Sequence, residues 1–265
     1  AEEFPSEPWR EMLRQLVFMV VESERQGTPP IDMAVMEEPP DIPWVIREWI
    51  ADRLVTGMFG MGGSGKTYLA LLAVVCAAAA HPFLGAAVPS ARKVLVADYE
   101  NDSQTTRRRL GMIARGMGID LPSILYLRLD NPLVDVEERL TQIVERAGIG
   151  FVMLDSMALA SGGSQNKDEL IIPVYGVLRR LAVASLVIDH EAKTSEGEFQ
   201  IGTIFKHNLS RFTFQVKATK QREDAGDLFM LITNRKVNDG APTRPLAVKA
   251  TFTKSVVTFK TIRPE

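Results

Sequence analysis

The chain has 265 residues, of which 46% are apolar, and a formal net charge of −2 at neutral pH. This length suits one large α/β domain with a small appendage, and the apolar content is ample for a packed core. Because the chain is not a polycation, any nucleic-acid binding must come from a local basic patch or from a surface built by several subunits. The single cysteine, Cys76, excludes an internal disulfide and a multi-cysteine zinc site. No apolar run reaches the roughly 18 residues of a membrane span, and no signal peptide is apparent, so we expect a cytoplasmic protein without a membrane partner.

The N-terminal part is predicted to be a helix followed by a linker. Residues 8–26 place apolar side chains at helical spacing, and Gly27 with the prolines after it ends the pattern. An acidic, proline-bearing stretch with little periodicity follows. We therefore divide the chain into residues 1–43, a helical arm with its linker, and residues 44–265, the main domain. Two placements of the arm fit the sequence equally well, against a neighbouring subunit or against its own domain.

From residue 44 onward, short apolar strands alternate with helices. This alternation predicts βαβ crossovers and a mostly parallel, twisted sheet with helices on both faces. The last third of the chain instead shows successive strands joined by short polar turns, which favours antiparallel strands that extend one edge of the sheet. The predicted strands are residues 54–59, 93–99, 124–129, 151–155, 185–189, 212–218, 228–233, 246–252 and 256–261, and the predicted helices are residues 66–80, 102–115, 136–147 and 168–183.

The first of these strands leads into a glycine cluster that fits a phosphate-binding loop. Its sequence matches the pattern G-x-x-x-x-G-K-[ST] and stands between a strand and a helix, as the motif requires. The glycines let backbone N–H groups turn inward around an anion, next to the positive end of the following helix. Lys66 would reach the β- and γ-phosphates of ATP, and the Thr67 hydroxyl would bind Mg²⁺. The predicted ATP-binding residues are Gly60, Met61, Gly62, Gly63, Ser64, Gly65, Lys66, Thr67 and Tyr68.

Polar residues follow three other strands, where ligands of open α/β sheets bind. Asp155 comes after four apolar residues and would hold Mg²⁺ through a bound water, beside Thr67. Glu100 is our choice for the base that orients the attacking water, because hydrolysis needs a carboxylate within water-bridged reach of the γ-phosphate. Asp98, two residues earlier at the same strand end, is the second choice; we expect it to point to the other side of the strand. His190 could hydrogen-bond the γ-phosphate and report its presence to the next loop.

This order of motifs resembles the RecA-fold ATPases. It is carried by the phosphate loop, the strand-end Glu100, Asp155 with its preceding leucine, and the pair Asp189-His190 followed by Lys193. The resemblance runs from about residue 44 to the C-terminus, and within those ATPases the chain is most similar to the RepA/DnaB-like hexameric replicative helicases of plasmids and phages. It implies a homo-oligomer, a hexameric ring in that group, with ATP and Mg²⁺ as cofactors and single-stranded DNA as partner. It also implies that Glu100 is the catalytic base and Asp155 the Walker B acid.

The same resemblance implies a cation supplied from a neighbouring subunit, because RecA-fold rings place ATP between subunits. Such a cation stabilises the charge of the transition state. The candidates are Arg211, Arg235 and Lys236, the last two in a predicted basic turn at residues 234–240. The turn reads Asn-Arg-Lys where DnaB-like proteins commonly have Lys-x-Arg, so the sequence does not rank the three.

Two segments, residues 157–166 and 191–201, correspond to the loops that line the DNA channel in RecA-fold proteins. Around the second segment, the candidates for DNA contacts are Lys193, Phe199 and Lys206. A lysine repeated around a ring multiplies the positive charge in the channel, which makes a slightly acidic protomer acceptable. A run of three arginines at residues 107–109 is interpreted mainly as a solvated helix face, because apolar residues mark the other side of that helix.

Three functions remain open from the sequence. The first is a ring-forming, ATP-driven DNA helicase or translocase. The second is a RecA-like recombination or repair ATPase, against which stand the small loops with few basic residues and the run of C-terminal strands. The third is a nucleotide switch or helicase-loading module without unwinding activity, against which stands Glu100, because a switch need not keep a catalytic base.

Overall fold

The computed structural model describes residues 6–27, 29–38, 41–162, 168–190, 208–219 and 226–262. Internal contacts divide the chain into two units, Ala1–Asp41 and Ile42–Glu265. In the first unit, helix α1 spans Ser6–Gln26, where the sequence predicted a helix over residues 8–26. Its large apolar side chains, from Trp9 to Val21, are exposed. None of the described helices is both long and apolar enough to cross a lipid bilayer.

The second unit alternates strands with helices and ends in strands. Its elements are β1 (Trp44–Ile46), β2 (Ile50–Ala51), β3 (Val55–Gly60), α2 (Lys66–Ala79), β4 (Val94–Asp98), α3 (Ser103–Met117), β5 (Ile124–Arg128), a 3-10 turn (Leu133–Val136), α4 (Glu137–Ala147), β6 (Phe151–Asp155), α5 (Met157–Ala160), α6 (Asp168–Arg180), β7 (Ala184–His190), β8 (Phe212–Ala218), β9 (Asp227–Val237), β10 (Leu246–Phe252) and β11 (Val257–Ile262).

Nine of these strands form one sheet in the order β11-β10-β9-β8-β3-β7-β6-β4-β5. The central strands pair in parallel, so their carboxyl ends meet at the same edge of the sheet. Strands β9, β10 and β11 pair antiparallel. The expected α/β fold, a parallel sheet with an antiparallel C-terminal extension, is therefore confirmed.

Two details of the C-terminal strands differ from the prediction. Strand β8 pairs in parallel with β3, with Phe212 opposite Thr56, so the antiparallel part begins one strand later than expected. The connection between β7 and β8 is about 20 residues long, enough for the crossover that parallel strands need. Strand β9 is also longer than predicted, so Arg235 and Lys236 are strand residues and the turn begins only at Asn238.

Helices α2 and α3 and a small hairpin cover one face of the sheet, and α4, α5 and α6 cover the other. The hairpin of β1 and β2 was not predicted, because strands of two or three residues carry no periodic signal. It stacks Trp49 on Phe214, with ring centroids 4.6 Å apart, and packs Trp44 against Phe212. Burial of these large rings fixes the hairpin over β8.

The edge strand β11 packs closely against α3. A Cβ atom at Gly116 would lie 1.8 Å from the carbonyl oxygen of Val257, so only glycine fits this approach. The Arg115 side chain also donates a hydrogen bond of 2.8 Å to the Ser255 carbonyl. The antiparallel strands therefore curl back over the first helices, and Phe252 at the end of β10 meets Tyr68 at the start of α2.

Candidate active site

The glycine loop between β3 and α2 is shaped by the strands packed against it. A Cβ atom at Gly60 would lie 2.1 Å from the carbonyl oxygen of Val216, and one at Gly65 would lie 2.6 Å from the sulfur of Met230. Gly65 also has φ of 91°, in the left-handed region that favours glycine. The backbone of β8 thus leaves room only for glycine at position 60, and the left-handed backbone requires glycine at position 65. Together these two positions fix the path of the loop.

Two polar side chains in the loop fit a bound anion. The Lys66 ammonium lies inside the loop and donates to the carbonyl oxygens of Gly60 and Met61 at 2.9 and 2.8 Å. The Ser64 hydroxyl is buried and has no hydrogen-bond partner among the described residues. A buried hydroxyl of this kind is normally satisfied, and a phosphate in the loop would satisfy it. The donors present therefore suit the phosphates of a nucleotide.

Asp155, at the end of β6, lies beside the loop and is almost fully buried. The Thr67 hydroxyl donates to its carboxylate at 3.1 Å. Burial, and then the nearby Glu100 and Asp98 carboxylates, raise the Asp155 pKa to about 7. A charged Asp155 is thus costly unless a cation stands next to it, which is the property expected of a Mg²⁺ ligand. Among the described residues, no group of three or more His, Cys, Asp or Glu side chains could hold a metal ion, so Mg²⁺ at Thr67 and Asp155 would depend on phosphate and water oxygens for its other positions.

Glu100 lies in the same cavity as these residues, which has a volume of about 450 Å³. Its carboxylate accepts a hydrogen bond of 2.7 Å from the Ser156 hydroxyl and lies 3.9 Å from His190 Nε2. The three side chains come from the ends of β4, β6 and β7, so the parallel sheet itself brings them together. The sequence analysis gave Ser156 no role, although it directly follows Asp155 and therefore had to lie at the same edge.

Asp98, the second choice for the base, has a different task. Its buried carboxylate accepts hydrogen bonds from the N–H groups of Glu100 and Asn101, at 2.8 and 2.9 Å, and from the Thr106 hydroxyl at 3.0 Å. Asp98 thus lies under the turn that carries Glu100 and holds that turn against α3. Residues two apart on a strand point to the same face, so the expectation that alternation separates these two acids was wrong. Their different surroundings arise because β4 ends at Asp98 and Glu100 lies on the turn that follows.

The far end of the cavity is lined by aromatic and cationic side chains. The Arg109 guanidinium lies over the Tyr68 ring, 5.4 Å from its centroid, and Phe252 meets Tyr68 edge to face at 4.9 Å. All three line the cavity that contains the loop. Interpreting residues 107–109 as one solvated face was therefore wrong for Arg109, although Arg107 and Arg108 are exposed. The start of α3 packs beside α2, so one side of its second turn faces the site.

The three candidates for a cation that acts in trans, from a neighbouring subunit, do not line this cavity. Lys236 donates to the carbonyl oxygens of Asn208 and Ser210 at 2.9 and 2.8 Å, and Arg235 donates twice to the side-chain oxygen of Gln215. Arg211 is exposed. Because Arg211 precedes β8, it lies by the start of β3, roughly 20 Å of strand away from the loop that follows β3. A role at the nucleotide of another subunit stays a prediction.

The predicted DNA-facing segments are only partly described. Lys193, Phe199 and Lys206 lie outside the described residues. So do residues 163–166 of the other segment, residues 157–166. Its first half is not a loop: Met157–Ala160 forms α5, and Met157 and Ala160 are buried in the core.

Comparison with known proteins places this geometry in a family. A family profile described as AAA domain matches residues 22–196, more than half of the chain. The chain belongs to this AAA-domain family. Among solved structures, a KaiC-like protein from the hyperthermophilic archaeon Pyrococcus horikoshii OT3 is similar, with a TM-score of 0.56 and 11% identity over 81% of this chain and 93% of that chain. At this identity the similarity shows the fold alone. No curated protein matches the chain significantly.

The family and the glycine loop together identify a P-loop ATPase domain, and its fold is like that of the KaiC-like protein. In this AAA-domain chain, the loop, the Thr67–Asp155 pair and the strand-end Glu100 form a continuous cavity. The sequence predicted each of these residues. The sequence did not predict that Tyr68, Arg109 and Phe252 form one surface of this cavity.

Replacing Arg109 with Ala should weaken the binding of Mg·ATP by roughly fivefold, because a cation over an aromatic ring and next to a bound nucleotide contributes about 1 kcal/mol. The affinity for inorganic tripolyphosphate, which has no base or ribose, should change less. Competition of both compounds with a fluorescent nucleotide measures the difference. Arg108→Ala removes an exposed arginine from the same helix turn and should change neither affinity. Equal losses in Arg108→Ala and Arg109→Ala would contradict the assignment.

Replacing Asp155 with Asn should stabilise the metal-free chain most at high pH. The folded Asp155 pKa of about 7 lies above its ordinary value of 3.8, so the folded chain binds the proton more tightly than the unfolded chain. Stability is therefore lost as pH rises from about 4 to 7, with a full penalty of at most about 4 kcal/mol above that range. Urea unfolding in EDTA should show a larger gain for Asp155→Asn at about pH 8 than at about pH 5. Asp120→Asn removes an exposed charge as control, and a gain independent of pH would contradict the argument.

Proposed function

We propose that this protein is a ring-forming motor of the replicative-helicase type, in which ATP hydrolysis drives translocation on single-stranded DNA or its unwinding. The observation that carries hydrolysis is that Glu100 shares one cavity with Lys66, Thr67 and Asp155. A site that only bound nucleotide would need just the last three. The added carboxylate supports a reaction in which a water molecule is activated.

The loop and the start of α2 would hold the phosphates of ATP. Backbone N–H groups at a helix N-terminus and the Lys66 ammonium both attract anions. Thr67 and Asp155 would hold Mg²⁺, which when bound neutralises charge on the β- and γ-phosphate oxygens. The base and ribose would then lie toward Tyr68 and Arg109, whose ring and guanidinium offer flat stacking surfaces.

Glu100 would act as the general base. The Ser156 hydroxyl donates to Oε1 of its carboxylate, and the side chain is 39% exposed, so Oε2 can accept a proton from water. Hydrogen bonding on one oxygen restricts the rotation of the carboxylate, and a fixed base is more effective than a mobile one. Lys66 would stabilise the charge that develops on the transferred phosphoryl group.

His190 would connect the hydrolytic site to the next segment of the chain. Its backbone N–H donates to the Asp189 carboxylate at 2.8 Å, while its ring approaches Glu100. His190 is the last residue of β7. A movement of Glu100, or the loss of a bound γ-phosphate, would therefore shift the point where residues 191–207 begin. Lys193, Phe199 and Lys206 belong to that segment, and repeated around a ring they would supply the positive charge and the stacking ring that single-stranded DNA needs.

Of the three candidate trans cations, Arg211 is the best supported. The Lys236 amine and the Arg235 guanidinium already bind oxygen atoms within their own chain, and burial followed by the Arg211 and Arg179 charges lowers the Lys236 pKa. Arg211 is exposed at the amino end of β8. In a ring this end of one subunit would face the nucleotide of the next.

Single-stranded DNA should raise the ATPase rate of the wild-type chain severalfold, and Glu100→Gln should abolish turnover with and without DNA. Removing a general base costs roughly 10²–10⁴-fold, whereas the affinity for Mg·ATP should be kept because the phosphate and Mg²⁺ ligands are intact. Steady-state hydrolysis and equilibrium nucleotide binding measure the two effects. The matched control is Glu138→Gln, an exposed position on α4, which should behave as wild type. Turnover that ignores DNA would favour a nucleotide switch, and wild-type turnover in Glu100→Gln would remove Glu100 as the base.

Arg211→Ala and Glu100→Gln should each be inactive alone but recover activity when mixed. In a mixed ring some interfaces join the intact Glu100 of one subunit to the intact Arg211 of its neighbour. In an equal mixture this is about a quarter of the interfaces, which sets the expected recovery. Hydrolysis assays after subunit exchange, run beside light-scattering mass measurement in Mg·ATP, test the idea. No recovery in confirmed mixed oligomers, or full activity in a monomer, would contradict it.

A further inference from the structure

The turn that carries Glu100 is held by two side chains of the edge strand β5. The Tyr126 hydroxyl donates to the carbonyl oxygen of Asn101 at 2.6 Å. The Arg128 guanidinium donates to the same oxygen at 2.7 Å. Both lone pairs of the carbonyl of Asn101, the residue directly after Glu100, are therefore used.

The register of the sheet explains why these two side chains meet this carbonyl. In the pairing of β4 with β5, Tyr126 lies opposite Val96 and Arg128 lies opposite Asp98. Side chains two residues apart on a strand point to the same face, so both point to the face on which Asp98 lies. They thus reach the turn from the face of the sheet that α3 covers, near the start of that helix.

Together with Asp98, the two side chains bind both the N–H donors and a carbonyl acceptor of the turn. The Asp98 carboxylate binds the N–H groups of Glu100 and Asn101, whereas Tyr126 and Arg128 bind the Asn101 carbonyl. Burial and then the charge of Asp98 raise the Tyr126 pKa, which keeps its hydroxyl a donor. Asn101 is only partly buried, and a carbonyl within reach of solvent can be satisfied by water. Two protein donors therefore add rigidity that hydrogen-bond satisfaction alone does not require.

We propose that Tyr126 and Arg128 are positioning residues for the catalytic base: through the Asn101 carbonyl they fix the turn so that the Glu100 carboxylate stays against Ser156. This inference rests on the proposed function, because it assumes that Glu100 activates water. A base that is displaced by about 1 Å can lose about 10²-fold in rate. The two residues touch neither the loop nor Thr67, so their loss leaves the nucleotide contacts in place.

Tyr126→Phe and Arg128→Gln test the proposal in the full-length chain. Each should lower kcat for ATP hydrolysis roughly tenfold, while the dissociation constant for Mg·ATP changes less than about twofold. The matched control is Tyr99→Phe. Its hydroxyl donates at 3.0 Å to the carbonyl of Asn131, which is not part of the turn, so kcat should stay at the wild-type value. Thermal midpoints of the three variants show that each is folded.

The outcomes separate the proposal from the proposed function. Wild-type kcat in both Tyr126→Phe and Arg128→Gln would overturn the positioning role, and so would an equal loss in Tyr99→Phe. In either case wild type still hydrolyses ATP and Glu100→Gln does not, so the proposed function stands. A wild-type chain that binds Mg·ATP without hydrolysing it would instead overturn the proposed function and the positioning role with it.

Discussion

A buried carboxylate beside a phosphate loop is the constraint on which the rest of the site depends. Asp155 is almost without contact to solvent and has two further acids near it, so its charge is unfavourable in the bare chain. A divalent cation would remove that penalty, and a nucleotide would supply the oxygens that hold the cation. In the proposed function the site is therefore electrostatically complete only when Mg²⁺ and phosphate are both bound. The hydrogen-bond donors of the loop suit an anion, and the carboxylate at the strand end suits a cation. A Mg²⁺-bound phosphate would satisfy both.

The three acids at this edge of the sheet, Asp155, Asp98 and Glu100, differ in their hydrogen-bond partners and therefore in the roles they can have. Asp155 faces Thr67 and the proposed cation position. The Asp98 carboxylate instead accepts hydrogen bonds from backbone N–H groups of the next turn. Glu100 is the one of the three whose side chain is substantially exposed and fixed through a single oxygen. The hydrogen bonds around the Glu100 turn reach from Asp98 to the edge strand β5. The position of the proposed base is therefore set by contacts with three strands and not by one loop alone.

The sequence predicted the polar residues at the phosphate end of the cavity more completely than the residues that line the rest of it. The loop, Asp155, Glu100 and His190 follow from local patterns, because a strand end fixes where its next residues lie. Arg109 did not follow, since its position beside Tyr68 depends on how α3 packs against α2. The strand placement of Arg235 and Lys236 was also missed, because a polar run looks like a turn until its partner strand is known. The hairpin of β1 and β2 left no periodic signal at all.

By itself, the sequence determined a P-loop ATPase core and most of the residues that would hold ATP and Mg²⁺. Those features are local: glycine spacing sets the loop, and apolar runs followed by acids set the strand ends. The tertiary structure alone decided that Ser156 holds Glu100, that Phe252 from the antiparallel strands closes the cavity, and that Tyr126 and Arg128 bind the Asn101 carbonyl. Each of these contacts joins residues more than 20 positions apart in the chain. Such pairs depend on sheet order and register, which no short stretch of sequence encodes.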